Sequence, residues 1–65
     1  MRLYAIFEAY QGTRHLAYAT PYRTEAVRLS QTWHEANDMD YEIEQSDEEG
    51  FFANSKIIAI NGKLV

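Results

Sequence analysis

Along residues 2–10 the chain alternates in the manner of a strand. Leu3, Ala5, Phe7 and Ala9 fall on one face, and Tyr4, Ile6, Glu8 and Tyr10 on the other. Gln11-Gly12-Thr13 reads as a turn, with Gly12 free to take a positive φ. Residues 14–19 return as a second strand, so 2–19 reads as a hairpin. Both arms are half apolar on each face, a pattern commoner in strands with neighbours on both sides.

Thr20-Pro21 breaks the alternation, and the period lengthens. Ala26, Leu29, Trp33 and Ala36 recur at spacings of three and four, so they share one face of a helix. Glu25, Arg28, Thr32 and Glu35 fall mainly on the other. Two starts fit: Thr20 as the N-cap with Pro21 at the first helical position, or Thr24 as the N-cap with Glu25 near the positive end of the dipole. The second is preferred. Asn37-Asp38 stops the helix.

Alternation resumes over 40–46. Tyr41 and Ile43 point one way, and Asp40, Glu42 and Glu44 the other. Asp47-Glu48-Glu49-Gly50 forms an acidic turn, and Phe51-Phe52-Ala53 fits neither period. Lys56 to Ile60 reads as a buried strand. Asn61-Gly62 is a type I′ hairpin signal, closed by the short arm Lys63-Leu64-Val65.

This order of elements predicts an α+β fold of ββαββ type, with a stub of a fifth strand. A right-handed crossover carries the third strand past the first hairpin to lie antiparallel beside strand one. The result is a single antiparallel sheet in the order 2-1-3-4 with one helix across one face. One helix leaves the other face open. The uniformly apolar set Leu3, Ala5, Phe7 and Ala9 is expected beneath the helix, with Trp33 and Tyr41 in the core. Tyr4, Ile6, Glu8 and Tyr10 then reach the open face, joined there by Glu42 and Glu44.

Length turns this fold into a problem of stability. The 65 residues make one small domain, 1–65, with 46% apolar and 25% charged residues, a globular composition. A domain of this size buries only about 60% of the surface of its unfolded chain. It has no cysteine for a disulfide framework. Self-association or a bound partner is therefore a natural source of additional burial.

Catalytic and ligand-binding chemistry finds little footing. His15 and His34 are too few for a zinc site. His34-Glu35 begins like a zinc-protease helix, but Asp38 stands where the second histidine belongs. The run from Asp38 has Glu49 at the twelfth position of a calcium loop, but Ile43 where glycine is required. Ser30, Ser46 and Ser55 lie in no nucleophile-elbow context, and the three glycines form no phosphate loop. The carboxylates sit on a solvated strand and turn, not in a cleft that would raise one pKa. The expectation is no enzyme, no cofactor and no metal. A net charge of −4 and scattered cations disfavour direct nucleic-acid binding. No apolar run reaches the ~20 residues of a membrane helix, and Met1-Arg2-Leu3-Tyr4 does not open a signal peptide. A cytoplasmic protein with no membrane contact is expected.

Charge is placed unevenly. Eight of the ten acidic residues lie between Glu35 and Glu49, while no Lys or Arg occurs between Leu29 and Ser55. The simple account is a solvated strand edge. The functional account is an acidic surface that steers toward a basic partner, bordered by tyrosines of the kind enriched at interfaces. The candidate binding residues are Tyr4, Ile6, Glu8, Tyr10, Glu42, Glu44, Asp47, Glu48 and Glu49.

Tyr18-Ala19-Thr20, then Glu25-Ala26-Val27 with an aromatic-bearing helix, then Tyr41-Glu42-Ile43-Glu44 form a layout across residues 2–46. It resembles the small strand–strand–helix–strand proteins of bacteriophages and other mobile elements, among them an inhibitor that blocks a basic channel of the host's bacterial RNA polymerase. The hairpin at 56–65 departs from that layout. The resemblance implies a small acidic inhibitor that binds a basic surface of a host nucleic-acid-processing protein, and it transfers no catalytic residues. The alternative reading is a homodimeric structural domain without catalytic activity.

Overall fold

A computed structural model describes residues 1–65. The elements are β1 (Tyr4–Tyr10), β2 (Thr13–Thr20), α1 (Arg23–Asn37), β3 (Asp40–Gln45), β4 (Lys56–Ile60) and β5 (Lys63–Leu64). They form one antiparallel five-stranded sheet in the order β2-β1-β3-β4-β5 with α1 packed on one face. The crossover places β3 beside β1, as expected. The two hairpin tips are two-residue turns. Gln11 and Gly12 have φ of 50° and 80°, and Asn61 and Gly62 have 56° and 80°. Positive φ at both central residues is the type I′ turn, whose twist matches that of the strands it joins.

The helix begins at neither expected cap. Tyr22 occupies the N-cap position without a side-chain cap hydrogen bond. The Thr20 hydroxyl instead accepts the Tyr22 N–H at 3.1 Å, which turns the chain out of β2. At the other end Asp38 adopts a left-handed conformation (φ 54°), and its N–H returns to the His34 carbonyl. The buried stripe is also displaced. Ala26 and Ser30 are buried, Leu29 and Trp33 half-buried, and Ala36 is exposed. Ser30 can be buried because its hydroxyl donates to the Val27 carbonyl.

The core comprises Ile6, Ala26, Tyr41, Ile43, Ile58 and Ala59, with Tyr4, Val27, Leu29, Trp33 and Met39 packed around it. Trp33 sits at its margin between Tyr18 and Tyr41, with ring centroids 6.2 and 5.8 Å away. Tyr41 and Ile43 face the helix, as expected. The face of β1 is the reverse of the expectation: Tyr4, Ile6 and Glu8 lie on the helix side, and Leu3, Ala5, Phe7 and Ala9 on the open side. Register explains the choice, because Ile6 stands opposite Ile43, and Ile43 opposite Ala59. Tyr4 and Ile6 also fill more of the space beneath the helix than the two alanines of the other set would. Glu8 is tolerated there because its carboxylate accepts the Tyr41 hydroxyl at 3.0 Å.

The two edges differ. β5 is a two-residue stub, whereas β2 is eight residues long and exposed over all but Thr20. It is an edge strand, contrary to its half-apolar pattern. A bulge at Ala17 interrupts it, since Ile6 faces Tyr18 while Phe7 faces Leu16. Bulges of this kind blunt an edge against further strand pairing. No helix is long and apolar enough to cross a membrane.

Candidate interaction site

The acidic residues divide into those the fold uses and those it leaves free. On the open face Glu42 and Glu44 share one cation: Arg14 Nε lies 2.9 Å from Glu42 Oε1, and Arg14 Nη2 lies 2.6 Å from Glu44 Oε2. The same guanidinium covers the Phe7 ring, 4.4 Å from its centroid. Ser55 donates a further hydrogen bond to Glu44. The Glu44 carboxyl is held below the ordinary carboxylate range, first by Ser55 and then by Arg14, against the opposing effect of burial. The Arg14 pKa is raised, chiefly by its hydrogen bond to Glu44. These two glutamates are internal partners of Arg14 more than free surface charge.

The turn between β3 and β4 is arranged differently. Its base is tied to the start of β1: Ser46 Oγ accepts the Leu3 N–H at 2.7 Å, and the Ser46 N–H donates to the Leu3 carbonyl at 2.9 Å. Asp47 then closes the turn on itself. Its Oδ1 accepts the N–H groups of Glu49 and Phe51, each at 2.9 Å, while its own N–H donates to the Phe51 carbonyl. These donors, Phe51 first, hold the Asp47 carboxyl below its ordinary range. Gly50 completes the turn at φ 95°, where a Cβ would come within 2.9 Å of the Met1 carbonyl oxygen. Glu48 and Glu49 project into solvent from this braced loop and make no ion pair. Beside them Phe51 is 62% exposed. The outcome is an acidic knuckle with an exposed phenyl ring beside it, its backbone braced by its own hydrogen bonds.

The candidate residues therefore separate. Glu48 and Glu49 stand together, free, at the knuckle, and Asp47 is its internal brace. Tyr10 is exposed at the far end of β1, beside the first hairpin tip. Glu42 and Glu44 are on the open face but ion-paired. Tyr4, Ile6 and Glu8 are removed from the open face altogether: Ile6 is fully buried, and Tyr4 packs on the core. Glu8 belongs to a polar link in which Asn37 donates to the Tyr41 hydroxyl and Tyr41 donates to Glu8. Burial raises the Tyr41 phenol above its ordinary pKa; the Asn37 donor works against this and the Glu8 acceptor with it. Phe51 is the surface residue that sequence periodicity could not assign. Its only signal was a large apolar side chain directly after an acidic turn.

The apolar residues of the open face are Leu16, Ile57 and Ile60, exposed, with Phe7 and Leu3 half-buried between them. No group of three or more histidine, cysteine or carboxylate side chains converges as a metal site would require. The chain matches no protein-family model, no curated protein and no solved structure.

Proposed function

We propose that this protein is a non-catalytic binding module of the cytoplasm that engages a basic surface on another protein through its β3–β4 knuckle. The observation that supports this most directly is the bracing of that turn by Asp47, which leaves Glu48, Glu49 and Phe51 projecting from ordered backbone. Order before binding lowers the entropy cost of association. Two unpaired carboxylates steer the approach of a cationic surface, and the exposed ring supplies apolar contact after docking. A basic surface of this kind is what a nucleic-acid-processing protein presents to its substrate. The phage-type inhibitor reading follows from occupation of such a surface by an acidic protein. Glu42 and Glu44 contribute less than their number implies, because Arg14 already neutralises one of them.

The test uses two baits, the natural chain and the variant Glu48→Gln with Glu49→Gln, against bacterial lysate at low and high salt. The expected result is a protein retained by the natural chain at low salt, lost at high salt, and not retained by the variant. Identical sets of retained proteins on the two baits at low salt would remove the knuckle from the function.

A further inference from the structure

The cations of this acidic chain have an arrangement of their own. Of the six Lys and Arg residues only Arg14 is ion-paired. Three of the others gather beside the helix. The helix packs mainly over β3, β1 and β2, and beyond the buried Ile58 and Ala59 a trough remains between it and the β4–β5 hairpin. The hairpin tip meets the helix at one point, where Gly62 fits against the Gln31 side chain so closely that a Cβ would come within 2.4 Å of it. This contact divides the trough into two adjoining hollows of about 580 and 410 Å³. The smaller has Val27 and Leu64 as its apolar lining, Arg23 and Arg28 as its charges, and no acidic residue. Lys63 stands in the neighbouring hollow, opposed by Glu35.

We infer that this trough receives the acidic knuckle of a second copy of the chain. This rests on the reading of the knuckle as the binding element. Charge complementarity identifies the occupant. Two exposed arginines without carboxylate partners flank an apolar strip, and the same molecule displays two carboxylates without cationic partners beside an exposed phenyl ring. Glu48 and Glu49 meet Arg23 and Arg28, and Phe51 covers Val27 and Leu64. Within one molecule the knuckle is tied to Leu3 by two hydrogen bonds of Ser46, so its complement is presented by a neighbour. At a net charge of −4 two copies repel in most orientations, and this one brings opposite poles together. The contact is heterologous, knuckle to trough, and its small area makes it weak and reversible.

Sedimentation of the full chain at micromolar and millimolar concentrations tests this. At low salt the mass should rise with concentration. The rise should vanish near 1 M salt, where the screening length falls to about 3 Å. Arg23→Glu with Arg28→Glu should be monomeric, as should Glu48→Arg with Glu49→Arg, each with the far-UV dichroism of the natural chain. Mixed together, these two monomeric variants should associate, because one retains a sound knuckle and the other a sound trough. Lys56→Glu, an exposed cation outside the trough, should self-associate as the natural chain does. A natural chain monomeric at millimolar concentration, a mixture that stays monomeric, or equal loss in Lys56→Glu overturns the inference. If self-association fails while the neutralised knuckle still loses its lysate partner, the self-contact falls and the binding module stands. If self-association holds while lysate capture is indifferent to the knuckle, the partner reading falls alone.

Discussion

The face that β1 turns to the helix can be tested by two alanine substitutions one residue apart. Ile6 is fully buried opposite Ile43 and belongs to the core. Phe7 lies half-buried on the other face, with Arg14 over its ring. Ile6→Ala removes three carbons from a site closed on all sides, and changes of this type cost about 2–5 kcal/mol. A central value of about 3 kcal/mol is most of the roughly 3–5 kcal/mol that the core of so small a domain supplies. At about 4–8 °C per kcal/mol for domains of this size, the melting temperature should fall by roughly 12–24 °C. Phe7→Ala removes the larger side chain at smaller cost. Half of the burial term for a phenyl ring is about 1 kcal/mol, and loss of the Arg14 contact adds about 0.5–1 kcal/mol.

Urea unfolding followed by far-UV dichroism and by Trp33 fluorescence measures both variants on one scale. Ile6→Val, expected to cost about 0.5–1.5 kcal/mol, keeps the comparison measurable should Ile6→Ala fail to fold. The order of the costs carries the reasoning. If Phe7→Ala destabilises as much as Ile6→Ala, the set Leu3, Ala5, Phe7 and Ala9 is the core face, and the register described above is wrong.

Why that face was not legible in the sequence is itself physical. The set containing Phe7 is uniformly apolar, and the set containing Ile6 includes a glutamate, so hydropathy alone favours the wrong one. Two contacts reverse the preference, and both reach across strands, where hydropathy along one strand does not look. The Tyr41 hydroxyl satisfies Glu8 on the covered side, and the Arg14 guanidinium shields Phe7 on the open side. Local signals did better where the backbone dictates the residue. Asn61-Gly62 forms the type I′ turn, and Tyr41 and Ile43 take the core face that their alternation implied. Ser30 shows the limit of periodicity, since a polar residue with a partner one turn back sits in the stripe as well as an alanine does. The acidic run was legible as a turn, but its count of charges overstated its free surface. Arg14, from a strand two places away in the sheet, engages two of the carboxylates, and the loop's own amides engage a third.

Tyr41→Phe should cost about 1–2 kcal/mol in urea unfolding, because Glu8 loses a donor and Asn37 an acceptor; an unchanged midpoint would place that link in solvent. Gly62→Ala should cost about 1–3 kcal/mol, and clearly more than Gly12→Ala. Both glycines have φ of 80°, but only at Gly62 does a Cβ strike a neighbour, so equal losses would deny the contact with Gln31. The acid limb of stability should depend on Ser55. Its hydrogen bond is the leading reason that the Glu44 carboxyl lies below its ordinary value. A carboxyl depressed in the folded state contributes stability that is complete above its unfolded pKa and is lost as pH falls through the folded pKa. The loss contributed by Glu44 therefore begins near pH 4 and continues below it. Ser55→Ala should raise the Glu44 pKa toward the unfolded value, lower stability at neutral pH, and flatten the decline on acidification. Two-dimensional NMR of the Glu44 carboxyl carbon reads the first effect, and urea midpoints across the acid range read the other two. A Glu44 titration midpoint unchanged by Ser55→Ala would leave Arg14 as the sole cause and remove the loop's return segment from the electrostatics of the open face.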